Sequence, residues 1–177
     1  MDSTGKMLLF CTALILLQGA AFWAGNAQAR GYDPINFGTE NSTDPDDSYS
    51  ETINFPEYSG MEIVRTKNSV IAKKGGEELF LTGGSPVRAV YFADLNGDRV
   101  REMIAEISTG GSDSNEVVVV YDFELKSHHT LDEPKRNDFY ASMEDGMIIV
   151  KKVPHNNPDG YSTTGELKLT ADGLSIG

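Results

Sequence analysis

Short apolar runs alternate with polar clusters rich in Gly, Asn, Asp and Ser along most of this chain, a pattern that predicts strands joined by turns. The first three predicted strands are Met61 to Arg65, Val70 to Lys73 and Glu78 to Thr82. The next two, Val87 to Ala93 and Met103 to Ile107, are short, rich in β-branched or aromatic residues, and flank a polar loop. The pattern therefore predicts a meander of strands.

A strand predicted from Val117 to Phe123 begins with four consecutive valines. Because polar residues do not alternate with them, this run favours a strand that is covered on both faces and is central in its sheet. Further along, Phe139 to Met143 and Met147 to Val153 flank a turn that contains Asp145-Gly146. That dipeptide accommodates the positive φ angles of tight hairpins, so a hairpin is expected there.

The last predicted hairpin joins Tyr161 to Thr170 with Leu174 to Ile176, and no convincing amphipathic helix pattern occurs from residue 30 onwards. The sequence therefore predicts an all-β fold, either a compact antiparallel sheet or a small sandwich. A complete propeller is not expected, because it requires at least four blades of four strands each. The sequence indicates a single blade-like unit, built around the polar loop.

In that polar loop, oxygen-bearing residues fall at every second position between two predicted strands: Asp94, Asn96, Asp98, Val100 through its carbonyl, and Glu102. A coiled loop turns alternate side chains inward, and an all-oxygen ligand set is the one that Ca²⁺ prefers. The spacing predicts one calcium ion held by these five residues. The alternative is a metal-free β-turn, since Asp, Asn and Gly are also common in hairpin connections.

The loop is not an EF-hand, because position 12, where an EF-hand places its bidentate acid, is Ala105, and strands rather than helices flank it. From Gly83 to Gly111 the chain instead resembles the FG-GAP or VCBS repeat family, whose blades carry a D-x-[DN]-x-D-G-x-x-[DE] calcium loop between two strands. The resemblance implies the same five ligands and a role for calcium in stabilising the blade.

Two arginines within the loop predict weak calcium affinity. Arg99 occupies the position of the family's glycine, and a left-handed backbone at a non-glycine residue costs roughly 1 kcal/mol or more. Arg99 and Arg101 also bring two positive charges close to the expected ion, which they repel.

The N-terminal residues 1–29 have the pattern of a secretory signal peptide. Lys6 precedes an apolar run from Met7 to Leu17, and Ala27-Gln28-Ala29 forms a small-x-small cleavage site. A retained membrane anchor is the alternative, but the apolar run is shorter than the roughly 20 residues of a spanning helix. Cleavage after Ala29 would remove the single cysteine, Cys11. An extracytoplasmic location, periplasmic or secreted, is therefore expected, without disulfides.

Residues 30–60 are acidic and poor in apolar side chains. Between Gly31 and Gly60 there are seven Asp or Glu residues, three prolines and no Lys or Arg. This composition predicts a disordered acidic leader, with a single all-β domain over residues 61–177. A second calcium-binding or partner-binding arm is the alternative interpretation of the acidic segment.

The net charge of −12 makes nucleic acid and anionic membranes poor partners. A protein, particularly a basic one, or a glycan is a better match, although the sequence does not identify it. No catalytic constellation is visible: His128 and His129 are predicted to be loop residues, and His155 lies in a segment of turn composition. The expected function is a non-enzymatic, calcium-binding module. The alternative is a periplasmic inhibitor or immunity protein that blocks a secreted enzyme.

Overall fold

Thirteen strands in three antiparallel sheets make up the part of the chain that the computed structural model describes, namely residues 33–39, 50–58, 60–157, 160 and 162–177. In chain order the strands are β1 (Ile35–Thr39), β2 (Ser50–Asn54), β3 (Met61–Thr66), β4 (Ser69–Lys74), β5 (Glu77–Gly83), β6 (Val87–Ala93), β7 (Glu102–Ser108), β8 (Glu116–Asp122), β9 (Ser127–Leu131), β10 (Asn137–Glu144), β11 (Met147–Pro154), β12 (Thr163–Thr170) and β13 (Gly173–Ile176). A one-turn 3₁₀ helix, Pro56–Tyr58, follows β2. Within these residues no helix is long and apolar enough to cross a membrane. The predicted signal peptide, residues 1–29, lies outside the described residues.

Each sheet is a meander of strands that follow one another in the chain. The orders are β2-β3-β4-β5, β1-β6-β7-β8-β9 and β10-β11-β12-β13, so only β1 pairs with a strand distant in sequence. The turn between β10 and β11 has φ angles of 49° at Asp145 and 78° at Gly146, as a tight hairpin requires. The prediction of an all-β, antiparallel fold that is not a complete propeller is confirmed.

The five-stranded sheet is the middle layer, because buried side chains cover both of its faces. Alternate residues of β8 belong to two separate apolar clusters: Val117 and Val119 pack with β3, β4 and β5, whereas Val118 and Val120 pack with β10, β11 and β12. The four valines are between 0% and 7% exposed. The predicted covering of this strand on both faces is thus confirmed, and β8 is paired on both edges.

The expected disordered leader needs correction for residues 33–39 and 50–58. Strand β1 pairs with β6, and β2 pairs with β3. Phe37, Phe55 and Tyr58 are at most 8% exposed and belong to the core between the first sheet and the middle sheet. The physical reason is that three aromatic side chains bury enough apolar area to order a segment that is otherwise polar.

Strand β9 contains His128 and His129, which the sequence placed in a loop. Its five residues, Ser-His-His-Thr-Leu, pair with β8 from Asp122↔Ser127 to Val118↔Leu131. The ring nitrogen Nε2 of His128 bonds to the carbonyl of Leu81 in the neighbouring sheet. Pairing with the valine strand and this contact order a segment whose own composition does not favour a strand.

Candidate functional site

The polar loop lies at one end of the middle sheet, between β6 and β7. Ala93 and Glu102 form the last pair of that hairpin, so the loop closes over the end of the sheet. Both flanking strands are almost entirely buried. The loop is therefore positioned by two buried strands of the middle sheet.

Asp94 is bonded to the backbone of its own loop. Its Oδ1 accepts from the N–H of Gly97 at 2.6 Å and its Oδ2 from the N–H of Arg99 at 3.0 Å. The φ angles are 84° at Gly97 and 76° at Arg99. These two left-handed residues bend the chain so that their own N–H groups point towards the carboxylate at the start of the loop, while the N–H of Asp98 between them points to Asn96. The left-handed backbone that the resemblance implied at Arg99 is therefore present.

Asn96 and Asp98 interact with each other as well as with the backbone. Asn96 Nδ2 donates to Asp98 Oδ2 at 2.8 Å, and Asn96 Oδ1 accepts from the Asp98 N–H at 2.9 Å. Asp98 Oδ1 accepts from the Val100 N–H at 2.7 Å. The side-chain oxygens of Asn96 and Asp98 thus bond within one short coil of the chain.

Glu102 closes the loop from the first position of β7. The residue is 1% exposed, and its Oε2 accepts from the Leu95 N–H at 2.7 Å. Burial raises the pKa of its carboxyl from 4.5 to about 8; the Leu95 hydrogen bond opposes this shift, while Asp98, Asp122 and Asp94 add to it. The three charges that contribute to this raised pKa, those of Asp98, Asp122 and Asp94, are all negative. A cation would therefore be stabilised at this end of the sheet.

Contacts with both outer layers hold the ends of the loop. The carbonyl of Leu95 accepts from the Leu169 N–H of β12 at 3.2 Å, and the hydroxyl of Tyr58 donates to the carbonyl of Arg101. Arg101 forms an ion pair with Glu57 at 2.9 Å, in which both side chains are less than 10% exposed. Because Glu57 neutralises its charge, Arg101 opposes a cation less than the sequence suggested, and Arg99 remains the exposed cation of the loop.

The five predicted ligands therefore lie at one end of the sheet. The carboxylates of Asp94, Asp98 and Glu102, however, already accept hydrogen bonds from backbone N–H groups of the loop. Among the described residues, no three Asp, Glu, His or Cys side chains are gathered as a metal-binding group. A calcium ion would replace side-chain contacts such as that between Asn96 and Asp98 with its own. The donor chemistry fits Ca²⁺, since every candidate atom is a hard oxygen.

Sequence reasoning missed a further acid, Asp122, at the end of β8. The residue is 1% exposed; its Oδ1 accepts from the Leu125 N–H at 2.7 Å, while its buried Oδ2 has no hydrogen-bond partner. A buried carboxylate oxygen without a partner is costly and uncommon in native proteins. No local spacing relates Asp122 to the loop, because β7 separates them in the chain.

The histidines have structural contacts. His155 Nδ1 lies 3.0 Å from Asp138 Oδ2, with both side chains nearly buried, and Asp138 Oδ1 also accepts from the Glu116 N–H at 3.0 Å. This arrangement fastens the turn after β11 to the start of β8. As predicted, His155 itself lies in a turn.

A shallow groove of about 340 Å³ lies between β9 and the last two strands. Its walls combine apolar side chains with hydroxyl and charged groups; they include Leu131, Glu133, Lys152, Thr163 and Leu174. Lys152 forms an ion pair with Glu133 there.

No family model, no curated protein and no solved structure matches this chain.

Proposed function

We propose that this protein is an exported, calcium-stabilised β-domain that acts as a non-enzymatic binding module for a protein or a glycan. Asp94, Asn96, Asp98, Glu102 and the carbonyl of Val100 hold the ion. The spacing of these residues, which resembles that of FG-GAP and VCBS blades, and their position at the end of the buried sheet support the proposal.

The observation that carries it is the environment of Glu102. This carboxylate is buried beneath the loop, and Asp94, Asp98 and Asp122 are the charges that act on it. Four acids at one end of a sheet repel one another when ionised, and a divalent cation removes that repulsion. Calcium would therefore bind to the folded state and stabilise it.

Calcium titration tests this assignment directly. Adding Ca²⁺ should stabilise the protein by RT ln(1 + [Ca²⁺]/Kd), about 2.7 kcal/mol when calcium reaches 100 times Kd. Asp98→Ala should abolish the gain by removing a charged ligand. Binding is measured by isothermal calorimetry and stability by thermal unfolding, each with calcium and with chelator.

Asp113→Ala is the matched control, because it removes the same charge from an exposed residue in the loop after β7, at the opposite end of that strand. It should leave the calcium response unchanged. If wild type shows no heat of binding up to millimolar calcium, and chelator does not lower its Tm, the loop is a metal-free hairpin connection.

Export and partner binding are tested separately. Intact mass of the exported protein should correspond to a chain that begins at Arg30, and a membrane-embedded full-length chain would contradict this. The processed protein, immobilised, should retain a polysaccharide or a protein ligand, with weaker retention when the groove variant Lys152→Glu is used. Recovery of one stoichiometric enzyme that loses activity in the complex would instead support the inhibitor hypothesis.

A further inference from the structure

We propose that Asp122 is a sixth calcium ligand, contributed from the last residue of β8 to the ion held by the loop between β6 and β7. The inference rests on the proposed calcium site and identifies a residue that the loop spacing does not contain.

The register of the middle sheet places Asp122 beside Glu102. Ile104 of β7 pairs with Val120 of β8, and Met103 pairs with Tyr121. The same register, continued by one residue, sets Glu102 opposite Asp122. Side chains two residues apart lie on the same face of a strand. Since directly opposed residues have Cβ atoms about 4.5–5.5 Å apart, the two carboxylates are within reach of one ion.

Ala93 extends this row across the sheet, because it pairs with Glu102 from the other side. Its methyl group is the smallest side chain of these three residues. Asp94 follows Ala93 directly. Asp94 follows β6, and Glu102 and Asp122 lie at the ends of β7 and β8, so three acids belong to neighbouring strand ends. Calcium would have to draw them together, because the described residues contain no metal-binding group that is already formed.

The hydrogen bonds of Asp122 leave one oxygen for the ion. Oδ1 accepts from Leu125 and holds the turn after β8, whereas Oδ2 is buried and without a partner. The turn after β8 needs only one acceptor for the Leu125 N–H, and the uncharged side chain of Asn or Ser could supply it. A second, unbonded carboxylate oxygen destabilises the fold unless a cation or donor meets it.

Asp122 would also raise the affinity for calcium and so compensate for the repulsion between Arg99 and the ion. With it, the ion is bound by four carboxylates, those of Asp94, Asp98, Glu102 and Asp122, and the single exposed cation of the loop is offset. Calcium affinity in protein sites increases with the number of charged ligands, and six or more oxygens are its normal coordination. The sixth ligand therefore favours Ca²⁺ binding despite the departure at Arg99.

The test is Asp122→Asn in the processed protein, with CaCl₂ alone as the probe. Asparagine keeps the acceptor for the Leu125 N–H and removes the charge. The Kd for calcium should rise roughly tenfold or more, because one charged ligand is lost. In chelator the same variant should melt at a higher temperature than wild type, because a buried charge beside Glu102 is removed. Asp113→Asn should change neither quantity.

A second measurement does not depend on the variant. In the ¹³C spectrum of the wild-type protein, the side-chain carboxyl resonance of Asp122 should shift during calcium titration with the same midpoint as that of Asp98. Wild-type affinity in Asp122→Asn, or an Asp122 resonance that stays in place while Asp98 shifts, overturns the assignment and leaves the five-residue site intact. If neither resonance moves and wild type binds no calcium, the site itself is refuted together with its sixth ligand.

Discussion

Arg99 is a non-glycine residue in a left-handed backbone conformation within the polar loop. Its backbone N–H bonds to Asp94 while its φ angle is 76°, so the loop requires a conformation that glycine adopts more readily than arginine. The sequence allowed this strain to be anticipated, because the expected glycine position was recognisable.

Arg99→Gly should therefore stabilise the calcium-free protein, by about 1 kcal/mol relative to Arg99→Ala. Both variants remove the same charge, but only glycine relaxes the left-handed backbone. Urea unfolding in chelator measures the difference. Equal stabilities of the two variants would show that the backbone at this position is not strained.

Glu106 is a buried acid remote from the loop, near the other end of β7. It is 7% exposed, and its Oε2 accepts from the Ala141 N–H at 2.9 Å. Burial raises the pKa of Glu106 above its ordinary value of 4.5; Glu116 adds to the shift, while the hydrogen bond and Arg88 oppose it. Because the folded state holds this proton more tightly than the unfolded state, stability falls as pH rises above 4.5.

Glu106→Gln should remove that part of the pH dependence. At about pH 4 the carboxyl is mostly protonated in both states, so the variant and wild type should differ little in stability. At pH 7 and above the variant should be the more stable, because glutamine keeps an acceptor for Ala141 without a buried charge. Denaturant unfolding at both pH values measures this, and an equal effect of the substitution at both would contradict it.

The five proposed calcium ligands could be named from local spacing because all of them lie within nine consecutive residues, Asp94 to Glu102. Asp122 was not predictable in this way, since its position beside Glu102 depends on the register between β7 and β8. Spacing along the chain was therefore enough to identify the loop, whereas the proximity of Asp122 to it could be recognised only from the register of the sheet.

Strands β1 and β2 illustrate where composition misleads. Their segment is dense in acids, and this favoured disorder, yet Phe55 packs 4.4 Å from Phe92 between ring centroids and Tyr58 stacks on Phe123 at the same distance. Strand β1 pairs with the distant β6, and Phe55 and Tyr58 pack against aromatic rings from β6 and from the turn after β8, so a local pattern does not contain the information that orders this segment. By contrast, β3 to β8 were predicted to within a residue or two, because each has its own apolar run.

Phe55→Ala should destabilise the protein by about 3–5 kcal/mol through the cavity it leaves in the core. Phe80→Ala is the matched control: Phe80 is 61% exposed, whereas Phe55 is 4% exposed. The control should change stability by no more than about 0.5 kcal/mol. Thermal and urea unfolding measure both variants, and a small loss for Phe55→Ala would mean that the N-terminal strands do not contribute to the folded core.

For the molecule as a whole, the sequence predicted the class of fold and the coverage of the valine strand, but not the stacking of three sheets. Residues 61–177 contain enough strands for either one sheet or several, and a pattern of turns does not show where one sheet ends and the next begins. The division follows from which faces are apolar: the middle sheet is apolar on both faces, and the outer two cover it.

Two backbone carbonyls of the loop, those of Leu95 and Arg101, connect these layers through hydrogen bonds. Leu95 is bonded to β12 in one outer sheet, and Arg101 to Tyr58, which packs in the core beneath the other. Tightening the loop therefore restrains three layers simultaneously, although it belongs to only one of them. An ion bound there would couple the stability of the three sheets. The outer sheets would become less able to open independently, and partial unfolding would be replaced by a single cooperative transition.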